Sequence, residues 1–314
     1  MLYLVRRSAA LIVVLVGVST ISFALGVLAP GDPAELWLER ALGRPPSDSQ
    51  IQDQRLLMGL DRPLVAQYLT WLNGLRMGEL GRSWGTGRSV FTELSEALPH
   101  TVLLAVATLT ASIGVAIPLG VAAAARPGSL IDHGSRAAAV LGTSLPTFLL
   151  GYILMLLFGV QLRLLPVFGS GSASHLVLPT MTLGFGLAGM FTRVIRSNVL
   201  ASLGEEYILA ARARGVPTRL VLYRHALRAS LIPFITIAGL SLGHLLSGAV
   251  IVEWIFSWPG LGKLGVDAIH NRDYPLIQGW VLFMSAVFAV SSLGADLAYR
   301  WLDPRVRLAK DGRA

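Results

Sequence analysis

The chain has no cysteine in its 314 residues. That excludes disulfides, thiolate nucleophiles and cysteine-ligated metals. Its six histidines are scattered. None forms a His-x-x-x-His pair or sits near a carboxylate at ligand spacing, so no metal site is expected. Charge is also scarce: 14% of residues are Asp, Glu, Lys or Arg, against about 25% in a soluble globular domain. So little charge cannot cover a water-facing surface, and much of the exterior must face lipid. The 54% hydrophobic content says the same.

A helix needs roughly 20 apolar residues to cross the hydrocarbon core. Six windows free of Asp, Glu, Lys and Arg reach that length: Ser8–Gly31, Thr101–Ala125, Ala137–Leu162, Leu164–Thr192, Ala229–Val252 and Tyr274–Ala295. Pro118 and Pro146 fall inside the second and third and are expected to kink them. The first window follows Arg6-Arg7 but is longer than a signal-peptide core and has no small-x-small site after it, so it reads as a retained helix.

With the N-terminus inside, the cytoplasmic segments carry Arg6, Arg7, Arg126, Arg136, Arg193, Arg196, Arg212, Arg214, Arg219, Arg224, Arg228, Arg300, Arg305, Arg307, Lys310 and Arg313. The short outside loops carry Arg163, Lys263 and Arg272. Seven further arginines lie in the long segment 30–100, and long segments translocate largely regardless of charge. The expectation is an all-α membrane protein of six helices with both termini inside. The net charge of +8 is then a topology signal. It is spread over several loops, which argues against nucleic-acid binding.

The segment 30–100 is the one large extramembrane insertion. Trp37, Tyr68, Trp71, Leu72 and Leu75 point to a folded cap, with a helix near Leu64–Leu75. Around Trp254–Asp273 the chain re-enters from outside, and its tryptophans suit an interfacial belt.

Three motifs resolve to plain readings. Gly184-Phe-Gly186-Leu-Ala-Gly189 matches G-x-G-x-x-G, but it lies in an apolar span with no preceding strand, which a dinucleotide site requires. Small residues that let helices approach closely are the better account, there and at Gly239-Leu-Ser-Leu-Gly243. Gly260-Leu-Gly262-Lys263 lacks the first glycine of a P-loop. This chain therefore has no nucleotide site of its own. His244, deep in a helix, is a candidate for the substrate path or for a bond to a neighbouring helix. The lack of mid-membrane carboxylates opposes a secondary carrier.

Between the fourth and fifth spans lies Glu206-Tyr-Ile-Leu-Ala-Ala-Arg-Ala-Arg-Gly-Val-Pro217. Glu206–Arg214 is helix-forming, and Gly215-Val216-Pro217 ends it. Thr218 is expected to cap a second helix over Arg219–Leu227. Ala210 and Ala211 give a smooth face, and Arg212, Arg214 and Arg219 can reach a partner's carboxylates. Composition alone leaves two readings: a docking loop, or a helix held on anionic lipid.

The spacing Ala210-Ala211-Arg-Ala-Arg-Gly215 resembles the "EAA" loop of ABC-importer permeases. Leu209 stands where that pattern has Glu, and Leu231-Ile-Pro233 follows the glycine at greater distance. Both departures resemble the dipeptide/oligopeptide/nickel branch. So do Pro30-Gly-Asp-Pro33, Gly59-Leu-Asp-Arg-Pro-Leu64, Gly78-Glu-Leu-Gly-Arg-Ser83, Leu98-Pro-His-Thr101, Ser144-Leu-Pro-Thr-Phe148, Arg224-His-Ala-Leu-Arg228, Val252-Glu-Trp-Ile-Phe-Ser-Trp-Pro-Gly-Leu-Gly262 and Arg272-Asp-Tyr-Pro275. By this resemblance the chain is a B-type membrane subunit with the six-helix fold of type I importers.

The resemblance implies an N-terminal helix over 1–29, an extracytoplasmic insertion over 30–100, a five-helix core over 101–304 with a cytoplasmic coupling loop at 197–228, and a cytoplasmic tail over 305–314. It implies a bacterial inner-membrane location, a homologous second permease, two cytoplasmic ATPases that carry the ATP and magnesium, and an extracytoplasmic binding protein. The chain itself would be non-catalytic and bind no cofactor. Glu206, Ala210, Ala211, Arg212, Arg214, Gly215 and Val216 would dock an ATPase. Trp258, Pro259, Gly260 and Asp273 would form an outer gate or binding-protein contact. Di- and oligopeptides are the favoured cargo, with nickel or metal chelates, glutathione and opines as alternatives. A secondary carrier and a membrane scaffold are the readings from other classes.

Overall fold

The computed structural model describes residues 2–28 and 31–302, and among them every regular element is helical. The tail 305–314, with Arg305, Arg307, Lys310 and Arg313, lies outside the described residues. Among the described residues, three helical stretches are long and apolar enough to cross a membrane: Val90–Ala125, Ala173–Leu203 and Tyr274–Gly294. Three bent helix pairs raise the number to six if each pair is one span.

The chain forms two compact units, Met1–Pro99 with Leu264–Ala289 and His100–Lys263 with Val290–Ala314. Helix α1 is Leu2–Leu28, α2 Pro33–Leu42, α3 Asp48–Met58 and α4 Leu64–Arg76. Local chemistry sets their ends. Asp32 caps α2 by accepting the Ala34 N–H at 2.9 Å. Ser47 and Gln50 form a capping box on α3. The left-handed Gly43 and Gly59 end the two helices at φ 65° and 67°. α4 packs on α1 through Phe23, whose ring lies 5.3 Å from Tyr68 and 5.9 Å from Trp71. The Tyr68 hydroxyl also bonds Ser19 Oγ at 2.9 Å. The expected helix at 64–75 and its aromatic packing are therefore present.

The second unit holds most of α5 (Val90–Ala125), then α6 (Leu130–Ser144), α7 (Thr147–Leu154), α8 (Val177–Leu203), α9 (Glu206–Ala213), the short α10 (Thr218–Leu220), α11 (Leu227–Gly248) and α12 (Val250–Ile255). Two π-helical turns, Met155–Gln161 and Val221–Ala226, extend α7 and lead into α11. Helices α13 (Leu261–His270) and α14 (Tyr274–Leu302) follow.

The core of this unit is built from Ala116, Val121, Phe191, Ile195, Phe234 and their neighbours. Phe191 and Phe234 meet edge to face at 5.1 Å, a favoured aromatic geometry. α6 and α8 approach more closely than side chains allow. A Cβ on Gly186 would sit 2.7 Å from the Gly142 carbonyl oxygen, and one on Gly189 would sit 2.7 Å from Ala139 Cα. That accounts for the glycine motif as close helix packing. Gly239 differs, with open space around its missing Cβ.

Two windows need correction. Pro146 breaks its helix outright: Leu145 is extended, as a residue before proline tends to be, and the two halves meet at 107°. α5 by contrast runs unbroken through Pro118. The window at Leu164 overreaches, because regular helix resumes only at Ala173. Pro166 and the left-handed Gly169 (φ 97°) keep the intervening chain irregular.

Candidate functional site

α9 is a short helix with two unlike faces. Ile208 and Ala211 are buried, packing with Leu203, Val216 and Val221. Ala210, Arg212, Arg214 and Gly215 are exposed, as is Glu206 in the first turn. The helix ends in a Schellman motif. The Gly215 N–H donates to the Arg212 carbonyl at 2.9 Å, and the Val216 N–H to the Ala211 carbonyl at 3.1 Å. Gly215 reaches this with φ +78°, a conformation that suits a residue without Cβ. A Cβ there would meet no atom within 4 Å. The demand on Gly215 is therefore conformational and not steric.

The second helix of the loop is not a separate one. Pro217 takes the N-cap position and offers no side-chain cap, so Thr218 does not cap as expected. From there α10 and the π-turn run directly into α11. α9 rests on the foot of α11 through Val221. Four large side chains around it are exposed: Tyr207, Leu209, Leu220 and Tyr223. Arg212, Arg214 and Arg219 are exposed on the same segment.

A second constellation surrounds Glu253. This residue is fully buried in α12, and the chain from Ser257 into the first turn of α13 passes beside its carboxyl group. Its Oε2 accepts the Gly262 N–H at 2.6 Å and the Lys263 N–H at 3.3 Å. Any Cβ on Gly260 would overlap the Glu253 carboxyl group, and one on Gly262 would lie 2.8 Å from Oε2. Trp258 is buried and donates from Nε1 to the His100 carbonyl at 2.9 Å. The Leu261 N–H bonds Thr101 Oγ1 at 2.8 Å. Ser257 turns the chain at φ 51°. Glu253 lies beyond the membrane-spanning pairs. Burial pushes its carboxyl up in pKa, against the pull of the Thr101 hydroxyl and the two N–H groups.

In the other unit Asp273 is buried and its carboxylate is occupied. Oδ2 accepts the Ser83 hydroxyl at 2.6 Å and the Gly85 N–H at 3.0 Å, while Oδ1 accepts the Leu276 N–H at 3.2 Å. It thus caps α14 and fastens the Gly81–Ser89 turn. A cavity of about 740 Å³ in this unit is lined by Phe23, Trp71, Trp84 and Tyr274, with the ion pair Asp32–Arg55 (3.3 Å) at its wall.

Residues 116–308 match the family described as "Binding-protein-dependent transport system inner membrane component". Residues 1–105 match the N-terminal family of the same systems. The chain belongs to this family of inner-membrane permeases. It is 36% identical over 315 residues to the oligopeptide transport system permease protein AppB of Bacillus subtilis, covering 97% of this chain and 98% of that one. It is 36% identical to the di/tripeptide transport system permease protein DppB of Pseudomonas aeruginosa, covering 97% and 98%. It is 37% identical to the glutathione transport system permease protein GsiC of Pectobacterium atrosepticum, again covering 97% and 98%. In fold it is similar to the crystal structure of an amino acid ABC transporter with histidines: TM-score 0.52, 12% identity, covering 67% of this chain and 94% of that one.

In this permease the expected docking residues all lie on or beside α9, with Ala211 turned inward and Ala210, Arg212 and Arg214 outward. Trp258 and Gly260 are buried, and Pro259 between them is half-buried. Of the two tryptophans expected at the membrane interface, Trp254 is exposed and Trp258 is not. His244 is exposed on α11. In the sequence Glu253 stands only as the charge next to the end of the window Ala229–Val252. Its signal was the pair of glycines seven and nine residues later, whose missing side chains make room for the carboxyl.

Proposed function

We propose that this permease is a non-enzymatic, six-span subunit that forms half of the translocation pathway of an ATP-driven importer. A homologous second permease completes the pathway. Two cytoplasmic ATPases bind ATP and magnesium, and an extracytoplasmic binding protein delivers cargo. Both termini face the cytoplasm, and α2–α4 belong to an extracytoplasmic insertion. Cargo is di- or oligopeptide, as the names of two of the relatives support. The glutathione relatives keep that tripeptide as the second reading.

One observation carries this reading. α9 is anchored on its inner face by Ile208 and Ala211, while Ala210, Arg212 and Arg214 are exposed on its outer face. A helix so held behaves as a rigid handle. Displacement of an ATPase groove moves α9 and, through the continuous backbone, both α8 and α11. In this scheme the buried loop at Trp258-Pro259-Gly260 shapes the outer gate. Asp273 braces the insertion against α14. His244, exposed on α11, faces the second permease or the pathway.

The test is Gly215→Leu in the assembled transporter, with uptake, ATPase rate and co-purification measured together. The leucine Cβ meets no neighbour, but any side chain opposes φ +78°, which unwinds the Schellman end. Uptake falls while the ATPases still co-purify in part. Unchanged uptake would overturn the assignment of α9.

A further inference from the structure

The coupling helix hangs from the end of α8, and α8 is fastened to α6 by an ion pair between a half-buried arginine and a buried carboxylate, which the reading above does not use. Asp132, in the first turn of α6, is 1% exposed. Its Oδ1 accepts Arg196 Nε at 2.5 Å and its Oδ2 accepts Arg196 Nη2 at 2.9 Å. Oδ2 also accepts the Gly128 N–H at 2.9 Å, and Arg136 Nε lies 3.6 Å from Oδ1. Ser129 Oγ caps the same turn through the Asp132 N–H at 3.3 Å. This is a two-pronged guanidinium–carboxylate fork, which fixes angle as well as distance.

The fork continues a seam. The contacts Asp132–Arg196, Ala139–Gly189 and Gly142–Gly186 step along α6 and α8 in opposite directions, by the same seven and then three residues. At Gly142 and Gly189 the backbones touch, and such a contact transmits displacement without compliance. The fork closes the seam at the end nearest α9, ten residues before Glu206. At its far end α6 stops at the 107° break before Pro146.

We propose that Asp132 and Arg196 are positioning residues for energy coupling. They lock α6 to the stem of the coupling helix, so that ATPase-driven movement of α9 carries α6 as one body with α8 and is released at the Pro146 break. Without the fork the glycine seam still holds the helices together, but its cytoplasmic end splays and the stroke is absorbed there. This rests on α9 being the ATPase-docking helix.

The experiment uses the full complex in lipid nanodiscs and proteoliposomes, with a binding protein loaded with a defined dipeptide. Asp132→Asn and Arg196→Lys are compared with Arg212→Glu on α9. Two cysteines, His133→Cys and Ser197→Cys, carry spin labels on exposed positions beside the fork, a placement made simple by the cysteine-free sequence. The expected result is co-purification of ATPases as in the parent and ATPase activity within about threefold. Dipeptide moved per ATP falls tenfold or more in Asp132→Asn and by a smaller factor in Arg196→Lys. The label distance is narrow and the same in nucleotide-free and vanadate-trapped parent complex, and broadens in Asp132→Asn.

An unchanged ratio of dipeptide to ATP with unchanged label distances overturns the proposal while leaving the docking assignment intact. If Arg212→Glu neither weakens co-purification nor alters hydrolysis, the docking assignment itself fails. If Asp132→Asn does not assemble, Arg196→Lys decides: it keeps the buried charge paired and removes only the fork, so normal coupling there refutes the lock.

Discussion

Replacing Gly260 with alanine tests the loop around Glu253. The added methyl would overlap the carboxyl group. A glutamate end ordinarily swings clear of such a clash, but Glu253 is fully buried and held by the N–H groups of Gly262 and Lys263. Moving it breaks those bonds, and keeping it strains the loop. Overpacking costs about 1–3 kcal/mol, and a buried N–H stripped of its acceptor costs about 1–3 kcal/mol more. Gly260→Ala should therefore destabilise by about 2–6 kcal/mol on those two terms together. Glu253→Ala removes the obstacle but strands the Gly262 N–H, at about 1–3 kcal/mol. The double variant suffers the second cost without the first. A double-mutant cycle on thermal denaturation of the detergent-solubilised transporter should show a coupling of at least about 1 kcal/mol, within the range for residues in contact. Additive effects would refute the claim that the missing Gly260 side chain makes room for the Glu253 carboxyl.

Four further outcomes follow from the same geometry. Asp273→Ala removes the acceptor for Ser83, Gly85 and Leu276, and should lower stability by about 2–4 kcal/mol, read as earlier proteolysis in 81–89. Gly189→Val wedges α8 from α6 at Ala139 and should abolish assembly, measured by gel filtration of the co-expressed complex. Phe191→Ala opens a cavity against Phe234 and should cost about 3–5 kcal/mol, seen as a lowered melting temperature. Tyr207→Ser with Tyr223→Ser removes exposed apolar area from α9 and from the π-turn after it and should weaken ATPase retention without lowering the melting temperature of the permease alone.

The long apolar helices and the short helix α9 were legible because each is written locally. A charge-free window reveals itself within its own length, as does a helix ended by Gly215 and Pro217. The overreach at Leu164 marks the limit of that method: Pro166 and Gly169 are uncharged, so they pass a charge filter while breaking a helix. The buried carboxylates were not legible. Asp132 meets its partner 64 residues away and Asp273 bonds Ser83 across 190. A lone acidic residue carries no sign of which arginine or hydroxyl the fold will bring to it. Thr218 misled for a different reason: it has the right chemistry for a cap, but Pro217 already occupies that position.

The π-turn at Val221–Ala226 has a consequence for changes in chain length. A π-turn carries one residue more than the α-helical turn it replaces. Loss of a single residue there can be absorbed by reversion to α-helix, with α9 and α11 both intact. Every position downstream then keeps its face of the helix, because the wider turn had already taken up the extra residue. His244 would stay on its exposed face. The same deletion within the regular turns of α11 would rotate every later position by about 100°, so Val221–Ala226 is where the chain can shorten by one residue without changing which side chains α11 presents.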